Sequence, residues 1–161
     1  MGVFGDWAER YWDKGLITLP IDPETKACRI KDWQHIFTKD ISEETLAKYT
    51  TKYGHWDIGL VCGSASGVVA ADFDWVGDHH LIYERMVLGI LPPTPAVKAG
   101  AKKWTRFYKN HESLKLRHIK WQDTTQNFFD LIGDGPGYTV MPPSRHSEGC
   151  NYRWMSAEGL S

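Results

Sequence analysis

The 161-residue chain predicts an α+β domain with a mainly antiparallel sheet, because helix-patterned segments lead and short β-type runs dominate afterwards. Phe4, Trp7, Ala8 and Tyr11 follow the three-and-four spacing of a helix face. From Leu16 onward, brief apolar runs punctuated by glycine and proline read as strands and turns. The length suits one compact domain and is too short for two full-sized ones.

Each element follows from local chemistry. Phe4 to Lys14 is a helix that Gly15 ends, and Leu16 to Ile21 is a buried strand. Asp22 to Lys26 is turn chemistry leading to a lysine-rich connector. Ser42-Glu-Glu-Thr opens a second helix, carried by Leu46, Tyr49 and Tyr53 to Gly54. Runs at 57 to 62 and 67 to 73 flank the short turn Gly63 to Gly67 and are expected to pair as an antiparallel hairpin. Asp78 to Ile90 has helical spacing, stopped by Pro92-Pro93. Val97 to Ala99 and Thr105 to Tyr108 are strands around a basic turn, and residues 110 to 125 are a loop or a short irregular strand pair. Phe128 to Ile132, Tyr138 to Met141 and Tyr152 to Met155 complete the strands.

The run Gly67 to Trp75 carries the most chemistry. Its alternation puts Asp72 and Asp74 on one face of one strand, where two carboxylates repel unless a cation lies between them. Oxygen donors at that spacing suit a hard divalent ion such as Mg²⁺ or Mn²⁺, and hence a phosphate-handling enzyme; the plainer alternative is a pair of acids that starts a turn. A net charge of −1 gives no global attraction for nucleic acid, so such contacts must come from local patches. Lys98 to Lys109 is one, with basic residues interleaved with Trp104, Phe107 and Tyr108, and Lys115 to Trp121 is another. Three scattered cysteines indicate neither a disulfide framework nor a zinc site, and no zinc is expected. The chain shows no spanning apolar run and no signal-peptide pattern, so no membrane partner and a cytoplasmic location are expected.

Beside the Asp72-Phe-Asp74 motif stand Ile58-Gly-Leu-Val-Cys-Gly63, Val97 to Tyr108, Phe128-Phe-Asp-Leu-Ile132, and Pro142-Pro-Ser-Arg-His146 followed by Tyr152-Arg-Trp154. In this order and spacing they resemble the catalytic domain of the archaeo-eukaryotic primase superfamily, in its bifunctional primase-polymerase (prim-pol) branch of phages, plasmids and mobile elements. The resemblance runs nearly end to end. It implies a primase-polymerase fold, an RRM-like antiparallel sheet packed with an N-terminal α/β unit and an active site between them. Residues 1–155 would form this catalytic domain and 156–161 the start of a linker or following element of a longer protein. A helicase domain or subunit is the partner such an architecture implies.

The reaction implied is template-directed nucleotidyl transfer from dNTPs or NTPs on a single-stranded DNA template, using two Mg²⁺ or Mn²⁺ ions. Asp72, Asp74 and Asp130 are the expected catalytic metal ligands, since alternation aims Asp130 away from Phe129 and Leu131. Many relatives carry a phosphate-contacting histidine where Thr105 stands; Lys102, Lys103 and Arg106 surround it and offer charge instead. Lys102, Thr105, Arg106, Ser144 and His146 are expected at the nucleotide, with Arg145 as a further candidate. Lys103, Trp104 and Lys109 are expected at nucleic acid. A passive single-strand-binding module and a metal-dependent phosphoesterase are the competing readings.

Overall fold

The computed structural model describes residues 2–35, 42–73, 89–100, 103–111, 119–122, 127–135 and 137–155. The first helix, α1 (Val3–Trp12), has no side-chain cap. Its leading amide groups are satisfied by packing, since Phe4 and Gly5 donate to the carbonyls of Trp56 and Gly54 at 2.8 and 2.9 Å. The second helix, α2 (Glu43–Tyr53), starts on Ser42, whose hydroxyl accepts from the Thr45 amide at 3.2 Å, so the cap read from the sequence is present. Between α1 and α2 come β1 (Thr18–Ile21) and a short 3-10 turn at Trp33–His35.

The remaining strands are β2 (Asp57–Val61), β3 (Val68–Phe73), β4 (Ala96–Ala99), β5 (Lys103–Lys109), β6 (Ile119–Gln122), β7 (Asn127–Ile132), β8 (Tyr138–Val140) and β9 (Arg153–Trp154). They form two antiparallel sheets, a small one ordered β1-β2-β8 and a large one ordered β6-β7-β3-β5-β4-β9. The α+β class with mainly antiparallel sheet is therefore what the chain adopts. Of the helix expected over Asp78 to Ile90, only residues 89 and 90 are described, and these are helical.

The expected hairpin of β2 and β3 does not form. β2 pairs with β1 and β8, whereas β3 pairs with β5 and β7, and the two strands share only the bridge Gly63↔Val68. Gly63 and Gly67 both adopt left-handed φ, 77° and 65°, and the turn is pinned by Ser66, whose hydroxyl accepts from the Ile17 amide at 2.8 Å, and by Asp134, which accepts from Ser64 at 2.7 Å. The chain thus crosses from one sheet to the other. Such a switch lets β2 be buried along its whole length and β3 along most of its own.

The main core lies between the sheets, where Phe4, Ala8 and Tyr11 of α1 meet Ile58, Leu60 and Met141 on one side and Ala70, Val97, Phe107 and Ile132 on the other. A second cluster (Ile17, Leu19, Trp33, Val61 and Ala65) fills the other side of the small sheet. Ala71 and Phe73, with Trp104, Phe129 and Leu131, cover the far face of the large sheet. Among the described residues no helix is long and apolar enough to cross a membrane.

Candidate active site

The site grows out of the core by strand alternation. On β3, β5 and β7, Ala70, Phe107 and Ile132 enter the main core, and two residues along each strand the same face carries Asp72, Thr105 and Asp130. Register aligns these exactly opposed positions into one row: Val97, Thr105, Asp72, Asp130 and Lys120 are successive partners across β4, β5, β3, β7 and β6. Asp72 and Asp130 are therefore direct cross-strand neighbours, with Cβ atoms expected about 5 Å apart. Asp130 is 8% exposed.

Like charges so placed destabilise a sheet unless compensated. Thr105 braces one of them, its hydroxyl donating to Asp72 Oδ1 at 2.9 Å. A threonine in this position holds the carboxylate's orientation without adding charge, which gives it a definite task where a histidine would have offered a cation. The pocket above Asp72 and Thr105 has a volume of about 100 Å³ and is walled by Val97 and Ala99 of β4, Tyr138, Thr139 and Val140 of β8, and Tyr152. It lies where the two sheets come together beyond the apolar core.

Among the described residues the donor set suits a hard divalent cation, with carboxylate oxygens and a neighbouring hydroxyl. Among the described residues no group of three or more metal-ligating side chains occurs. Asp74 lies outside the described residues, so two of the three expected acids are seen together.

A family model for the N-terminal domain of bifunctional DNA primase/polymerases (Prim-Pol) matches residues 8–160, nearly the whole chain. The chain belongs to the Prim-Pol family. That family is one of DNA primases and polymerases. A separate comparison with curated proteins finds no match to the chain.

The other expected Prim-Pol site residues are dispersed. Arg106 follows Thr105 directly, so it falls on the opposite face of the large sheet, opposite Ala71 and Ala96, and is buried there. Trp104 shares that far face, with the Lys98 ammonium 5.3 Å from its ring centre. Lys109 is exposed at the other end of β5, roughly 13 Å along the strand from Thr105. Lys103 sits in β5 opposite Ala99, and Lys102 lies outside the described residues.

Ser144 is fully buried, and its hydroxyl accepts from the Ile58 amide at 2.9 Å and donates to the Ile58 carbonyl at 3.2 Å. This geometry is a correction to its expected place at the nucleotide: Ser144 stitches the Pro142-Pro143 turn to β2. His146 is half-buried beside Tyr152, with ring centres 5.4 Å apart. Its Nδ1 accepts from the Glu148 amide at 3.2 Å, so the neutral ring carries its proton on Nε2 and presents a donor. Tyr152 connects this histidine to the pocket.

The wall residues Tyr138 and Tyr152 were not singled out as functional from the sequence, although Tyr152 belongs to the Tyr-x-Trp pattern. The Lys26 ammonium is paired with buried Asp57.

Proposed function

We propose that the chain is the catalytic domain of a DNA primase/polymerase, serving replication of a phage, plasmid or mobile element. In the reaction a 3′ hydroxyl attacks the α-phosphorus of a bound dNTP or NTP, the new phosphodiester forms, and pyrophosphate leaves. The observation that carries this reading is the placement of Asp72 and Asp130 as direct partners on one sheet face beside a polar pocket.

Asp72 and Asp130, joined by Asp74, would hold the divalent ions. When bound, those ions supply positive charge to the attacking and leaving oxygens and to the triphosphate. The protein's own work is positional. β-Sheet pairing holds both carboxylates rigidly, Thr105 fixes the rotamer of one, and the walls from β8 and Tyr152 limit how far a ligand can shift. His146 offers its Nε2–H as a donor for a phosphate or sugar oxygen. Single-stranded template is the nucleic-acid partner, held by exposed basic side chains such as Lys109.

Purified protein incubated with a primed single-stranded template, dNTPs or NTPs and Mn²⁺ should yield extended product. Asp72→Ala should lower the rate by at least the roughly 10–100-fold that loss of even an outer-shell partner of a metal ligand costs, with template affinity retained. Release of mononucleotides would support a phosphoesterase instead, and template binding without any product would support a passive module.

A further inference from the structure

Asp57 opens β2 and is 2% exposed, so its carboxylate has been taken out of water. Its Oδ2 is paired with Lys26 Nζ, and its Oδ1 accepts the Arg145 amide at 3.2 Å. The same Lys26 ammonium donates to the Arg145 carbonyl at 2.7 Å. One ion pair therefore grips both the N–H and the C=O of the residue immediately before His146.

Lys26 is itself held in an uncommon conformation, with φ 57°. Asp22 builds that turn: its side chain accepts from the amides of Glu24 and Thr25 at 2.9 and 3.0 Å, and its carbonyl accepts from the Lys26 amide at 2.8 Å. The Lys26 carbonyl in turn accepts from the hydroxyl of Tyr138, whose ring walls the pocket above Asp72. A single residue thus ties the pocket wall to the turn that bears His146.

A partly buried ion pair such as this one is a poor source of net stability, since desolvation and screening offset its attraction. Its distinctive contribution is directional. We propose that Lys26 and Asp57 are positioning residues, which hold the Arg145–His146 segment and the Tyr138 wall in register so that a nucleotide is received beside Asp72 and Asp130. This role rests on the nucleotidyl-transfer reading of the site.

The test uses the full chain with Lys26→Met, Lys26→Arg and the double variant Lys26→Met/Asp57→Asn, the last leaving no unpaired buried carboxylate. Amide hydrogen exchange followed by NMR reports the clamp without reference to catalysis. Exchange at the Arg145 and His146 amides should rise about tenfold in both methionine variants, the scale of one lost charge-assisted hydrogen bond, with β3, β5 and β7 unchanged. In primer extension KM for the nucleotide should rise by about tenfold and kcat should stay within about threefold, and Lys26→Arg should restore both.

Unchanged exchange at those two amides in a folded variant overturns the clamp. Loosened exchange with KM unmoved, or with kcat and KM degraded alike, overturns its role in receiving nucleotide. If wild-type protein makes no product while exchange behaves as expected, the nucleotidyl-transfer reading is what fails, and the positioning role falls with it.

Discussion

Asp72 and Asp130 end two rows of side chains that begin in the core, and their opposition favours a cation beside them. A ligand that binds the folded state alone stabilises it by mass action, by about 2.7 kcal/mol at a hundred times its dissociation constant. Thermal unfolding with Mn²⁺ should accordingly run higher than with a chelator in wild type, and Asp130→Asn should lose most of that gain. An equal gain in both proteins would separate the metal from this pair. At this scale the sequence was informative where period-two alternation suffices, as for Asp130 facing away from Phe129 and Leu131. The same rule, applied to neighbours, shows why Thr105 and Arg106 cannot both face the pocket, although both were expected at the nucleotide. Ser144 was unreadable for another reason: a serine after two prolines looks like a preorganised donor, and nothing local tells that its partner is the backbone of Ile58, 86 residues away.

Strand existence followed from local pattern, while strand pairing did not. An apolar run, a glycine-rich turn and a second apolar run describe a hairpin and a sheet-to-sheet crossing equally well. The crossing depends on the two turn glycines, which differ in their surroundings. A Cβ on Gly63 would stand 2.5 Å from Asp134 Oδ1 and 2.7 Å from the Asp134 amide nitrogen, whereas one on Gly67 meets nothing within 4 Å. Gly67→Ala should therefore cost only the left-handed backbone strain, about 1 kcal/mol. Gly63→Ala adds a backbone clash and should cost about 3 kcal/mol or more. Denaturant midpoints measure both, and equal losses would mean that the Asp134 contact does not hold the crossing.

Across the whole molecule, the net charge of −1 leaves template binding to local contacts. For a single strand held by three phosphate contacts, affinity should fall roughly twentyfold between 50 and 200 mM salt. Fluorescence anisotropy with a labelled oligonucleotide checks this, and a flat salt response would remove the basic side chains from the interface. What the sequence by itself determined was the class of fold, most element positions, the family and the candidate acids, because these rest on short-range periodicity and on motifs read in order. What only the tertiary structure decided was which strands share a sheet, which of two adjacent residues faces the pocket, and that Lys26 and Asp57 bind the turn before His146. Those outcomes depend on contacts between segments far apart in the chain, and a local pattern of apolar and polar residues is compatible with several such arrangements.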